Sequence, residues 1–277
     1  MNLKPLFQLM EARSHKQKAH LAVGFLTIER PRGEGQTCVV TNKDPWLVLS
    51  ILHPQCSMSN QQTIDAIRKA LSSPRLVTYE NAVTLSGPDD PAAIALYAWN
   101  AQVSAALMAP LHICEVAMRN AASDAIEAVY GQRWPWSAGF ERTLQHTRVG
   151  YSQRNDLFQA RSNAPTTGKV IPELKFVFWQ KLFTGRNDGR LWNPYLRQVL
   201  PHADTSKTEA QIRHEIYQDL EQIRGLRNRI AHHEPIFQRN LNDDLAKIEK
   251  LISYRCTITA TWMMNHQQAS ALIAAKP

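Results

Sequence analysis

The residues best suited to chemistry lie together in one segment, LRNRIAHHEP, at positions 226–235. Arg227 is permanently charged, and its fork of N–H donors matches the oxygens of a phosphate group. His232 and His233 can take up and release protons near neutral pH, because the unperturbed pKa of histidine is about 6.5. Asn228 can orient a neighbouring side chain or hydrogen-bond a substrate. This combination suits metal-free cleavage of RNA, in which the 2′-OH attacks the adjacent phosphorus and leaves a 2′,3′-cyclic phosphate.

A second polar group, formed by Glu115, Arg119 and Asn120, lies nearer the middle of the chain. Glu115 and Arg119 are four residues apart and are therefore neighbours on one helical face. They form either a surface ion pair, worth about a few tenths of a kcal/mol, or an auxiliary part of a site. No carboxylate cluster indicates a magnesium site, and the sequence predicts neither a metal nor another cofactor.

The helix that carries the arginine is predicted from its apolar spacing. At about 100° per residue, six apolar residues fall on one face: Ile212, Ile216, Leu220, Ile223, Leu226 and Ile230. Arg227 projects onto the same face, and because a guanidinium is costly to bury alone, it must reach a partner, a cleft or an interface. Pro235 disfavours helical backbone at Glu234, so the helix is expected to end around the histidines. Ser206 and Glu209 predict a capping box at its start.

The histidine positions leave two arrangements of this segment open. On an ideal helix His232 lies about 140° from Arg227, so either the helix deforms near its end or a second subunit completes the cleft. His233 projects nearer the apolar face, which favours a structural role. A different interpretation of the whole segment is a helix end whose histidines lie near the negative pole of the helix dipole.

The pattern from residue 60 onward predicts an all-α bundle. One long helix is expected over residues 91–130, kinked or split at Pro110. A last helix is expected over residues 240–266. Residues 170–183 are too apolar for a solvated helix, so they are expected to lie in the core or at a subunit interface.

The first part of the chain has a different pattern. Residues 1–57 contain short apolar runs around a turn-like segment, which suggests a small β-hairpin within an extension of uncertain structure. The predicted domains are therefore the extension, residues 1–57, and a helical domain, residues 58–277.

Composition limits the class of protein. The net charge is +8 and the pI about 9.4, which permits a polyanionic partner. The four cysteines form no C-x-x-C pair, which argues against a disulfide framework or a zinc site. The start of the chain lacks the apolar centre of a signal peptide, and no run approaches a membrane span of about 20 apolar residues. A soluble cytoplasmic protein without membrane association is expected.

Several segments resemble the abortive-infection (Abi-like) family of the HEPN superfamily, whose signature is an arginine, usually an asparagine, and a histidine after a short gap. Arg227, Asn228 and His232 fit this signature with a gap of four residues, and His233 fits with a gap of five. Other segments that resemble the family follow in order between residues 64 and 265: 71–76 with position 79, 96–100, 115–120, 130–134, 168–179, 191–192 and 227–237.

The resemblance implies a HEPN-like helical bundle that forms a homodimer, with the motifs of two subunits facing one shared cleft. Many members are metal-independent endoribonucleases of phage-defence or toxin–antitoxin systems, which implies RNA as substrate and an antitoxin or other neutralising partner. Arg227, Asn228 and His232 are then the expected catalytic residues. His233 and the group at 115–120 are expected to be auxiliary. Other members are non-catalytic modules that bind RNA or a protein partner, and this is the alternative function.

Overall fold

The computed structural model describes residues 60–85, 90–162 and 164–277, and this part of the chain is all-α. Its twelve α-helices are α1 Asn60–Leu71, α2 Ser73–Glu80, α3 Ala92–Tyr130, α4 Ala138–Thr143, α5 Gln153–Ser162, α6 Thr167–Glu173, α7 Phe176–Leu182, α8 Asn193–Val199, α9 Glu209–Ala231, α10 Leu241–Arg255, α11 Thr257–His266 and α12 Ala269–Ala274. The predicted β-hairpin extension, residues 1–57, and the predicted start of the helical domain at residue 58 lie outside the described residues.

Helix α3 is the centre of the bundle. It has 39 residues, about 58 Å at 1.5 Å per residue, and it packs against α2, α7, α8, α9, α10 and α12. Of the two outcomes predicted at Pro110, a kink or a split, the split does not occur, because the helix continues through that residue. It ends where predicted, at Gly131, whose φ of 77° suits glycine.

The composition of α3 corrects the expectation that no segment approaches a membrane span in length and apolar character. An 18-residue window of this helix has a mean hydropathy of 1.3, so α3 is long and apolar enough to cross a membrane by these two criteria alone. A third of that window is buried inside the bundle. The core helix of a soluble protein meets the same criteria, so the structure is compatible with a soluble protein.

Helix α9 confirms the predicted apolar stripe, since all six of its stripe residues are buried. Its capping box lies two residues later than predicted. The side chain of Thr208 accepts from the backbone N–H of Gln211, and the Gln211 side chain accepts from the Thr208 N–H. Ser206 stands two residues before this N-cap, and its hydroxyl donates to Asp204 Oδ1, 2.7 Å away, within the preceding turn.

The last predicted helix is divided in two. The backbone of Cys256 is extended, with φ −160° and ψ 113°, and separates α10 from α11. Three β-branched residues follow at 257–259, which favours a break there because such side chains are poor helix formers. Arg255 also holds the junction, since its Nη1 donates to the carbonyl oxygen of Val199 at 2.7 Å.

The apolar segment at 170–183 packs within the chain's own core. Phe178, Trp179 and Phe183 are fully buried. The ring of Trp179 meets Trp134 edge-on, with 6.2 Å between centroids. The core alternative is therefore the one observed, and this segment gives no support to a subunit interface.

Candidate functional site

The end of α9 forms a cap with an uncommon residue in the left-handed position. The N–H of His233 donates to the carbonyl of Ile230 at 3.0 Å, and the N–H of Glu234 donates to the carbonyl of Arg229 at 2.8 Å. These two bonds define a Schellman motif. The left-handed residue of such a motif is usually glycine, yet here it is His233, with φ 57°. His233 is exposed, so the predicted projection toward the apolar face does not apply after the chain leaves the helix.

Two side chains from distant helices hold the segment that follows α9. On α2, Arg75 donates from Nη1 to the carbonyl oxygen of His233. On α3, Asn100 is buried and its Oδ1 accepts the backbone N–H of Ile236 at 2.8 Å. Both bonds fix backbone rather than side chains, so they hold the exit of α9 in one position.

An aromatic contact adds to these bonds. The ring of Tyr79 lies 5.1 Å from Phe237 and 5.0 Å from Tyr97, measured between centroids. The pKa of Tyr79 is raised to about 12, because burial raises it by more than the nearby charge of Arg75 lowers it. The phenol is therefore neutral at physiological pH. Three segments that are far apart in sequence, around 75–79, 97–100 and 233–237, therefore meet at the end of α9.

Arg227 is the arginine of α9 that has no polar partner in the described part of the chain. Its side chain is half-buried and makes no hydrogen bond or ion pair with any described residue. By contrast, Arg224 Nε donates to Gln180 Oε1 at 2.6 Å. Arg229 Nε donates to a backbone carbonyl and lies 3.6 Å from Glu234 Oε2. A half-buried guanidinium with unused donors is suited to bind an anion.

The relative direction of Arg227 and His232 follows from where the helix ends. Ala231 is the last helical residue, and His232 is the C-cap, with its N–H donating to the carbonyl of Asn228 at 2.9 Å. The backbone departs from the helix only after His232, so this residue keeps the helical direction, about 140° from Arg227. The first of the two open arrangements, a helix deformed before His232, is therefore not found. The Asn228 side chain is half-buried and makes no hydrogen bond within the described residues.

The auxiliary group on α3 lies away from this helix end. Glu115 Oε1 and Arg119 Nη1 are 4.0 Å apart, at the outer limit of an ion pair, and both side chains are about one-fifth exposed. Asn100 touches the end of α9, whereas Glu115 is fifteen residues further along α3, about 22 Å at 1.5 Å per residue. Asn120 is exposed and lines a separate recess. Within the described residues, no hydrogen bond or ion pair joins this group to Arg227 or His232.

Glu115 belongs instead to a charged cluster in the middle of the bundle. Burial raises the pKa of the Cys114 thiol far above its usual range, and Glu115 and Asp219 add to the effect. Asp219, on α9, is buried and lies 2.5 Å from Lys250 Nζ on α10. The Nε of Arg119 is buried and has no hydrogen-bond partner. This cluster ties α3, α9 and α10 together with charges of both signs.

Sequence reasoning missed the roles of Asp219, Arg75 and Asn100. Asp219 could have been found, because it stands three residues after Ile216 and four before Ile223, on the core face of α9. An acid in that position needs a cation from a neighbouring element. Arg75 and Asn100 carry no such local signal, since their partners are backbone groups more than a hundred residues away in the chain.

Comparisons with known proteins were made for the whole chain. No protein-family model, curated protein or solved structure matches it. Among the described residues, no group of three or more histidine, cysteine, aspartate and glutamate side chains is placed to hold a metal ion. The chemistry of the candidate site therefore has to be argued from Arg227, Asn228, His232 and the backbone that holds them.

Replacing His233 with glycine is expected to stabilise the fold by about 1 kcal/mol, because glycine occupies the left-handed region without the steric cost of Cβ. Urea denaturation of the purified variant measures this. The matched control is Ala231→Gly, two residues earlier at the exposed last position of α9, which should destabilise by up to about 1 kcal/mol. A loss of stability in both variants would mean that His233 makes a contact that outweighs its backbone strain.

Proposed function

We propose that the chain is an Abi-like HEPN helical bundle and a metal-independent endoribonuclease of the phage-defence or toxin type, acting in the cytoplasm. The observation that carries this proposal is Arg227: it is half-buried, it has no partner among the described residues, and it lies five residues before His232, near a helix end whose backbone Arg75 and Asn100 hold. Phosphate chemistry without a metal requires an unpaired guanidinium together with proton-transferring groups.

In the proposed reaction each residue has a separate role. A histidine, His232 by the motif spacing, takes the proton from the 2′-OH as its oxygen attacks the neighbouring phosphorus. Arg227 binds the non-bridging oxygens and offsets the charge that grows on them. Asn228, whose side chain makes no hydrogen bond within the described residues, hydrogen-bonds the substrate or the imidazole. The bond to the 5′-oxygen breaks, a second histidine protonates that oxygen, and the products are a 2′,3′-cyclic phosphate and a 5′-OH.

The need for a second histidine suggests that the working form is a homodimer. His232 lies about 140° around the helix from Arg227, so one copy directs the two side chains apart. A two-fold axis near the end of α9 places the same motif opposite itself. Arg227 of one copy then faces His232 of the other across one cleft. An antitoxin or other neutralising partner would act by covering that cleft.

Incubation of the purified protein with total RNA in excess EDTA tests the proposal. The expected result is cleavage that EDTA does not reduce and that leaves 2′,3′-cyclic phosphate ends. These ends resist ligation and also resist a phosphatase, until mild acid opens the ring and the phosphatase can remove the resulting monoester. Cleavage that requires a divalent cation, or that leaves 3′-OH ends, would contradict the proposed mechanism.

A non-catalytic HEPN module that binds RNA or a protein partner is the second candidate. It is favoured by one observation, the divergence of Arg227 and His232 within a single copy. A chain that stays monomeric would present a phosphate-binding arginine without the proton-transferring groups opposite it. In that case the EDTA experiment would show no cleavage, and a gel-shift assay with the same RNA would tell whether the chain binds it.

A further inference from the structure

A surface groove lies at the other end of α3 from the proposed cleavage site. A recess of about 700 Å³ is lined by Asn120, Glu127, Arg133, Trp136, Thr167 and Arg255, among others. A second recess of about 400 Å³ shares Arg133, Trp136 and Pro165 with it and extends to Arg161. We call these two recesses the Trp136 groove. Its volume is in the range that holds small organic ligands such as a nucleotide.

The groove combines arginines with aromatic rings. The guanidinium of Arg133 lies over the ring of Trp136, 5.2 Å from its centroid, and makes no hydrogen bond or ion pair with any described residue. Arg161, which lines the second recess, lies 5.7 Å from the ring centroid of the neighbouring Phe158. Phe158 is 60% exposed, a large fraction for a phenylalanine. A planar guanidinium and an exposed ring are both surfaces on which a nucleobase stacks.

The segment that builds the groove also holds much of the chain's positive charge. Residues 131–175 contain seven lysines and arginines against three aspartates and glutamates, a net charge of +4 out of +8 for the whole chain. Two of the three acidic side chains already bind other groups of the protein. Asp156 is buried and accepts from the hydroxyl of Tyr151 at 2.7 Å. Glu141 Oε2 lies 2.8 Å from Arg161 Nη2.

Several cations of this segment have no acidic partner. Arg142, Arg148 and Lys169 are exposed and, like Arg133, make no ion pair with any described residue. Glu173 is the one acid of the segment that is exposed. The segment 131–175, which supplies both aromatic rings, therefore also carries uncompensated positive charge.

We propose that the Trp136 groove and the neighbouring cations dock single-stranded RNA. The bases stack on Phe158 and on the Arg133–Trp136 pair, and the phosphates lie along Arg142, Arg148 and Lys169. A double helix would use the cations but not the rings, because its bases are already stacked on one another. An acidic peptide would likewise use the charges alone. The choice of RNA rests on the proposed function, since the groove would hold the substrate of that reaction.

Docking in the groove is physically separate from cleavage. Asn120 and Glu127 are 20 and 27 residues along α3 from Asn100, about 30 and 40 Å at 1.5 Å per residue. A strand held in the groove is therefore bound by residues that do not include Arg227 or His232. Binding and cleavage can consequently be measured independently.

Fluorescence anisotropy with a labelled, unstructured 2′-O-methyl RNA tests the inference, because methylation removes the nucleophile and prevents cleavage. Phe158→Ala should weaken binding about 5- to 100-fold, the loss of one stacked base. Phe158→Tyr should restore it. Arg142→Ala and Arg148→Ala should each reduce the slope of log K against log salt by about 0.7, the value for one lost phosphate contact on a single strand.

Lys69→Ala is the matched control. Lys69 is exposed on α1 and has no partner among the described residues. Its replacement with alanine removes one positive charge, as Arg142→Ala and Arg148→Ala do. Its affinity should equal that of the wild type. Equal binding by Phe158→Ala and the wild type, or equal competition by duplex RNA or polyglutamate, would overturn the inference. If the groove variants lose binding while the wild type cleaves no RNA, docking stands and the nuclease proposal fails. If Arg227→Ala alone abolishes binding, the docking surface is at the end of α9.

Discussion

RNA cleavage is expected to fall by at least about 10²-fold when either Arg227 or His232 is replaced with alanine, the usual effect of losing a charge-stabilising donor or a general base. The fold should survive both changes. Arg227 makes no hydrogen bond or ion pair with any described residue, and His232 is an exposed cap whose backbone N–H, not its side chain, makes the hydrogen bond to Asn228. Stability should therefore stay within about 1 kcal/mol of the wild type.

Single-turnover cleavage of a defined RNA measures this effect, with circular dichroism and urea denaturation as checks on folding. Arg229→Ala is the matched control, because Arg229 is two residues from Arg227 but is engaged by Glu234 and the carbonyl of Pro235. It should retain cleavage. Arg227→Lys should recover only part of the activity, since lysine keeps the charge but loses the fork of donors. Retained cleavage in both alanine variants would exclude this site.

The features of α9 that could be predicted from sequence are those that depend on local periodicity and local backbone chemistry. The six stripe residues recur at helical spacing, so their burial follows from the 3.6-residue repeat alone. The end of the helix follows from Pro235, which acts on the residue before it. Both signals operate within one or two turns, and no distant contact overrides them.

The features that could not be predicted depend on contacts between distant segments. The left-handed backbone at His233 is held from α2 by Arg75. Nothing near position 233 in the sequence indicates this conformation, because glycine would be the usual choice there. A strained residue held by a distant arginine is typical of a position kept for its side chain.

The separation of Arg227 from His232 leads to the second large effect, restored cleavage in mixed subunits. An Arg227→Ala subunit and a His232→Ala subunit are each expected to be inactive as homodimers. After exchange, about half of the dimers are mixed and carry one intact Arg227 and one intact His232 on opposite sides of the cleft. Both copies keep His233, which is then the second histidine of the reaction. If those two residues act across the two-fold axis, cleavage should rise from the background to as much as about half of the wild-type rate.

A second mixture tests whether Arg227 and His232 act together across the two-fold axis or within one copy. Wild-type subunits are exchanged with a double variant, Arg227→Ala with His232→Ala. The mixed dimers now hold both intact residues in the same copy, on the same side of the cleft. Action across the axis leaves these dimers inactive, so only the wild-type homodimers cleave, about a quarter of the population. Action within one copy would make them active as well and triple the number of active dimers. Light scattering over a dilution series must show a dimer throughout, and full cleavage by a monomer would refute the shared cleft.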